Sequence, residues 1–148
     1  MDKLSAETRS KVMARVRSQR NLSTEWRLRA SLVRTGIRGW KLNPADVPGR
    51  PDFVFREERV ALFVDGCYWH GCPTCYRRPS SNTAYWDSKI QRNRVRDTKV
   101  SMQLRRDGWR VLRFWEHQLS DIEFVLMRVR STLKPGCQIA RHAKTPAD

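Results

Sequence analysis

One thirteen-residue stretch constrains this chain more than any other: residues 63–75 read FVDGCYWHGCPTC. Three cysteines, a histidine, an aspartate and two adjacent aromatics are packed into it. It grows out of an apolar run, Val60-Ala61-Leu62-Phe63-Val64, whose composition predicts a buried strand. Chemistry-bearing side chains therefore gather where a strand runs out into a loop. The spacing Cys67-x4-Cys72-x2-Cys75 suits soft thiolates wrapped around one tetrahedral zinc ion. Just upstream, Pro48-Gly49-Arg50-Pro51-Asp52-Phe53 is a turn that delivers one acid to the start of another strand.

The chain has 148 residues, enough for one domain with its own core. Thirty Lys and Arg against fifteen Asp and Glu leave a formal charge of +15, which favours a polyanionic partner, nucleic acid or an acidic membrane face. The membrane is the weaker choice, because no apolar run approaches the roughly 20 residues that span a bilayer. The N-terminus has no apolar signal core either. Three of the four cysteines sit at metal spacing and no export signal is seen, so a reduced, cytoplasmic compartment is expected, with Cys137 a bystander thiol.

Along the chain, residues 1–20 read as a basic arm, weakly helical at best, that carries Thr8, Arg9 and Met13 and orders on a phosphate backbone. The one folded domain is expected over 21–134. Within it the periodicity predicts a helix over 24–34 with Trp26, Leu28, Leu32 and Val33 as its apolar stripe, then a short strand at 40–42. Strands at 52–55 and 60–64, joined by the charged turn 56–59, make a hairpin. A long helix follows over 84–106 and ends at Gly108, and a strand runs over 109–115. Ser120-Asp121-Ile122-Glu123 has the form of a capping box opening the last helix, which buries Ile122, Val125, Leu126, Val129 and Leu133. The polar tail, 135–148, is expected to be disordered. The order of elements predicts a mixed α/β fold, a mixed sheet flanked by helices.

Hydrolysing a phosphodiester requires charge neutralisation, an activated water and a stabilised leaving oxygen, and magnesium on carboxylates and backbone oxygens supplies much of this. Asp52 is the leading candidate ligand; Asp65, at the end of the next strand, and the Val64 carbonyl could join it. His70 suits a general base, since imidazole takes a proton from water near neutral pH. It could equally be a zinc ligand, and if it is the base then His117 is the candidate fourth ligand. Tyr68, Trp69 and Trp86 could stack on bases or fill the core. Lys89, Arg92, Asn93, Arg94 and Arg96 give the long helix a cationic face for phosphates. Asp97 within it either pairs with an arginine or orients His70.

Taken together these residues resemble the very short patch repair (Vsr) DNA mismatch endonucleases. The likeness covers Thr8-Arg9-Ser10, Glu25, PGRPDF at 48–53, FVDGCYWHGCP at 63–73, Trp86-x2-Lys89-Ile90-x2-Asn93-x3-Asp97 and GWRVLRFWEH at 108–117. It implies a restriction-endonuclease-like fold and nicking on the 5′ side of the thymine in a thymine–guanine mismatch left by deaminated 5-methylcytosine. By position it makes Asp52 the magnesium-binding aspartate, His70 the water-activating histidine, Asp97 its supporting acid and Glu25 an acid near the site. Tyr68, Trp69 and Trp86 become the wedge that opens the base stack. A structural zinc falls to Cys67, Cys72, Cys75 and His117, which frees His70 for catalysis. The implied partner is double-stranded DNA with a thymine–guanine mismatch, with other mismatch-repair proteins as further partners and a monomer as the acting form.

Two departures stand out. The wider superfamily follows its Pro-Asp with an acid-x-Lys signature, whereas Asp65-Gly66-Cys67 stands here, and the activating role passes to His70. Some family members carry histidine where Asp65 stands, which leaves the role of Asp65 and the number of magnesium ions open. Two rivals share parts of the pattern: a restriction-type nuclease acting on paired DNA, and a non-catalytic zinc module that binds nucleic acid.

Overall fold

A four-stranded sheet forms because four short apolar segments alternate between two covered faces. The computed structural model describes residues 5–134; the expected tail at 135–148, Cys137, and the side chains of Arg9 and Met13 lie outside the described residues. Strands β1 (Trp40–Leu42), β2 (Phe53–Phe55), β3 (Val60–Asp65) and β4 (Arg110–Trp115) lie side by side in chain order. The first two pairings are antiparallel, and β3 pairs with β4 in parallel. A parallel neighbour needs a crossover, and helix α2 (Thr83–Arg106) provides it. Helices α1 (Ala6–Arg34) and α3 (Ile122–Leu133) complete the flanks, so the molecule is a mixed sheet flanked by helices.

Side chains two apart on a strand share a face. Phe53, Phe55, Val60, Leu62, Leu112 and Phe114 meet Leu28 and Leu32 of α1 and Val125, Leu126 and Val129 of α3. Val54, Ala61 and Phe63 turn the other way, onto Leu104 of α2 and Trp109. Each fully buried side chain of this size contributes about 1.5–3 kcal/mol relative to exposure, which makes these two layers the main source of stability.

Three local expectations are corrected. The arm and the helix expected from residue 24 are one 29-residue helix, capped where the Ser5 side chain accepts the Thr8 N–H at 3.2 Å. No glycine or proline interrupts residues 6–34, and arginine, alanine and leucine all favour helix there. Among the described residues of that helix Leu28 and Leu32, one turn apart, reach the core; Trp26 and Val33 are 63% and 55% exposed. The last helix has Asp121 as its N-cap, accepting the Phe124 N–H at 3.1 Å. Ser120 instead closes the preceding 3-10 turn, Glu116–Ser120, by donating to the His117 carbonyl. The hairpin, the long helix and the final strand stand where the pattern placed them, to within a residue or so.

No helix among the described residues is long and apolar enough to cross a membrane. The parallel pair β3 and β4 ends at Asp65 and Trp115 on one edge of the sheet, and Asp52, just before β2, arrives at the same edge. Strand-end edges of this kind are where α/β folds place their ligands.

Candidate active site

A cleft of about 560 Å³ opens at that edge, and its walls include Glu25, Asn43, Asp52, Asp65, Trp69 and His70. From α2 it takes Lys89, Asn93, Arg96 and Asp97, and from β4 it takes Arg113. The turn that presents Asp52 is tightly seated. Gly49 has φ +76°, and a Cβ there would lie 2.4 Å from Val100 of α2, so this turn demands glycine. Asp52 is half-buried, and its Oδ2 accepts the Val64 N–H at 2.7 Å. Burial, then the neighbouring Asp65 and Glu25 carboxylates, push its pKa up to about 6. That is the electrostatics of an acid cluster short of a cation. Glu25 is steered into it by Asn43, whose side-chain N–H donates to Glu25 Oε2 at 3.1 Å.

His70 sits opposite on the cysteine loop. Its Nδ1 lies 2.5 Å from Asp97 Oδ2 and 3.9 Å from Asp65 Oδ1. With Nδ1 engaged by a carboxylate, Nε2 is the nitrogen available to take a proton. The bland alternative for Asp97, pairing with an arginine, takes second place: Arg113 stands 3.9 Å from Asp97 Oδ1.

Residues 69–71 are braced from α2. Asn93 donates to the Trp69 carbonyl at 2.7 Å, and Arg94 donates to the Gly71 carbonyl at 2.5 Å and to that of His70 at 3.4 Å. Arg94, expected on phosphates, therefore has its guanidinium on the loop backbone, while Arg92 is exposed on α2. Gly71 (φ +65°) would place a Cβ 2.6 Å from Ile90, so the loop lies flat on the helix only with glycine there.

The aromatic residues form one cluster. Tyr68 meets Trp69 and Trp86 edge-on, with centroids 5.2 and 5.5 Å away, and Trp69 lies 6.0 Å from Trp86. Tyr76 and Tyr85 extend it, two residues the sequence reading passed over. Lys89 Nζ stands 5.3 Å from the Trp69 centroid and 5.6 Å from that of Trp86, a cation on an aromatic platform beside the cleft. These rings are not core: all three of Tyr68, Trp69 and Trp86 are half-buried. Thr8 stands in the first turn of α1, its Oγ1 2.8 Å from Ser5 Oγ.

The donor atoms of Cys67, Cys72, Cys75 and His117 lie within 4.8 Å of one another. His117 Nδ1 is 3.3 Å from Cys67 Sγ and 3.6 Å from Cys72 Sγ. Burial pushes the Cys67 thiol up to about 12; at Cys72 burial acts the same way, but hydrogen bonds from the Cys75 and Thr74 N–H groups and with the Cys67 and Cys75 thiols outweigh it, and its pKa is lowered. Three thiols and one imidazole suit zinc, and a coordinated thiol ionises whatever its free pKa. His70 is not in this group. Asp65, His70 and Asp97 form a second group within 4.8 Å, and Asp52 stands outside it.

Sequence reading missed Arg113, Asn43 and Ser101. Arg113 had a visible signal, a cation inside the apolar run Val111-Leu112-Arg113-Phe114. Asn43 and Ser101 had none, since both act through partners far away in sequence.

The family model described as DNA mismatch endonuclease Vsr matches residues 1–77. Among curated proteins, the chain is 41% identical over 137 residues to the type II nicking enzyme V.XorIIP of Xanthomonas oryzae pv. oryzae, covering 91% of this chain and 98% of that one. It is 46% identical over 95 residues to the type II nicking enzyme V.NaeI of Lentzea aerocolonigenes, covering 62% of this chain and 57% of that one. It is 40% identical over 111 residues to the DNA mismatch endonuclease Vsr of Escherichia coli, covering 74% and 69%.

Proposed function

The chain belongs to the Vsr family of DNA mismatch endonucleases and is a DNA endonuclease, and on that premise we propose that it nicks duplex DNA on the 5′ side of the thymine in a thymine–guanine mismatch. The mismatch is the one left by deaminated 5-methylcytosine, and the cut initiates very short patch repair in the cytoplasm. One observation carries this reading: Asp52, the His70–Asp97 pair and the Trp69–Lys89 platform line the same cleft.

In this reading Asp52 and the Val64 carbonyl hold a magnesium ion, which supplies charge neutralisation at the scissile phosphate and the leaving oxygen. The raised pKa of Asp52 supports the assignment, because a carboxylate crowded by Asp65 and Glu25 is relieved by a cation. Glu25, held by Asn43, sits at the rim of the same acid cluster. His70 takes a proton from the attacking water through Nε2. Asp97 holds the ring and stabilises the imidazolium that forms.

Tyr68, Trp69 and Trp86 wedge into the base stack, with Lys89 and Asn93 beside them. Arg92, and Thr8, Arg9 and Met13 on α1, grip the backbone and groove. A zinc ion on Cys67, Cys72, Cys75 and His117 ties the loop to the end of β4, so Trp69 and His70 project from a fixed base.

The test is nicking of thymine–guanine against thymine–adenine duplexes, with and without magnesium, by the wild type and Trp69→Ala. Opening a base step costs a few kcal/mol, and a wobble pair lowers that cost, so the expected preference is roughly tenfold to a hundredfold. Trp69→Ala is expected to lose it with zinc content unchanged. Equal cutting of both duplexes by the wild type would favour a restriction-type nuclease. No cutting of either would favour a binding module.

A further inference from the structure

Asp65 looks at first like a metal ligand, since it ends β3 beside Val64 and shares a donor cluster with His70 and Asp97. Its surroundings speak otherwise. Arg113, two residues from the end of β4, directs one nitrogen at both Asp65 oxygens, 2.8 and 3.0 Å away. The pairing is dictated by the sheet. Phe63 and Arg113 are partners in the parallel register, and Asp65 follows Phe63 on the same face. The face is the one α2 covers, so the guanidinium is enclosed between sheet and helix.

Every edge of that guanidinium is used. Nε donates to Ser101 Oγ at 2.8 Å, and Ser101 is itself buried. The remaining nitrogen reaches the Asp97 carbonyl at 3.4 Å, and the Phe63 ring lies beneath at 4.1 Å. The Arg113 and Asp65 side chains are 21% and 12% exposed. A pair so enclosed is not easily parted, because removing one partner leaves an uncompensated charge in a low dielectric. A divalent cation on Asp65 would compete with Arg113 for the same carboxylate charge and weaken the pair. It would also face the Arg113 cation across a single carboxylate, about 5 Å away by the lengths of the two contacts.

We propose that Asp65 is not a magnesium ligand in this protein, and that Arg113 is a positioning residue whose pair with Asp65 fixes the His70–Asp97 couple. The guanidinium touches Asp97 from its backbone side while Asp65 stands 3.9 Å from His70, so the pair buttresses both members of the couple. It also places one fixed positive charge between Asp65 and Asp97, which would otherwise stand as two uncompensated carboxylates beside His70. The inference rests on the magnesium-dependent nicking proposed above.

The experiment measures single-turnover nicking of a thymine–guanine duplex by the full chain across a magnesium series, together with duplex Kd and zinc content. Arg113→Met and Asp65→Asn are each expected to slow the nicking step by roughly 10- to 100-fold, the usual size for loss of a supporting contact. Half-saturating magnesium and duplex Kd are expected to stay within about twofold of wild type. The double variant is expected to lose no more than either single one, because both remove the same pair.

Arg113→Lys keeps the charge but not the fork, and is expected to recover part of the rate. Should Arg113→Met fail to fold, Asp65→Asn and Arg113→Lys carry the test. A rise of tenfold or more in half-saturating magnesium for Asp65→Asn would overturn the proposal, as would additive losses or a wild-type rate in Arg113→Met. Asp52→Asn serves as the reference for the parent reading. If it too leaves the magnesium dependence unchanged, or if the wild type cuts without magnesium, the magnesium assignment fails and not the pair.

Discussion

Asp52→Asn tests whether the cleft is built at the expense of stability. Burial and the Asp65 and Glu25 carboxylates raise the Asp52 pKa from 3.8 to about 6. An acid raised on folding binds its proton more tightly in the native state than in the unfolded chain. Its contribution is therefore present at low pH and is lost as pH rises from about 4 through about 6. At about 1.36 kcal/mol per pH unit, the cost to the wild type approaches about 3 kcal/mol above pH 7 and is roughly half of that at pH 5.

Asparagine has no charge to desolvate, and its amide oxygen can still accept the Val64 N–H. In magnesium-free buffer the variant is thus expected to be more stable than wild type, by about 3 kcal/mol at pH 7.5 and by half of that near pH 5. For a chain of this length that corresponds to a Tm higher by roughly 6–12 °C at neutral pH. Added magnesium should raise the wild-type Tm and leave the variant unmoved, because only the wild type has the charge to bind it. The assay is thermal unfolding of both proteins between pH 5 and 8, without chelator so that zinc is retained. A variant no more stable than wild type at pH 7.5, or a gap that shrinks as pH rises, would refute the account of Asp52.

Three further outcomes are expected. His70→Ala should depress single-turnover nicking by roughly two to four powers of ten with duplex affinity retained; a near-wild-type rate would move the general base elsewhere. Cys72→Ser should lose zinc and fold stability together, because ligation and folding are coupled, which metal analysis and thermal unfolding check on one sample. Duplex affinity should fall steeply with salt, and Arg92→Ala should flatten that slope by about one unit in log–log terms without changing mismatch preference.

Much of this molecule follows from local rules that act within a few residues. Periodicity is enough to place β2, β3, α2, β4 and the buried face of α3, because strands and helices reveal which side they bury through spacings of two and of three to four. The cysteine spacing likewise announces a soft-metal loop, since short-range geometry dictates which thiols can share one ion. The resemblance named the site residues, and Asp52, His70, Asp97 and Glu25 do come to one cleft.

Helix ends are another matter. Whether α1 breaks near residue 20, and whether Ser120 or Asp121 caps α3, turns on competing local bonds of similar energy. Long-range pairing lies beyond those local rules, and only the resemblance pointed to it. From residue types alone His70 and His117 are equal candidates for the metal, and only the parallel register of β3 with β4 brings His117 to Cys67, fifty positions away in sequence. The same register sets Arg113 against Asp65, and α2 lays Arg94 on the Gly71 carbonyl. A charged side chain takes whichever partner the packed chain delivers once water is excluded, so its role is decided in three dimensions.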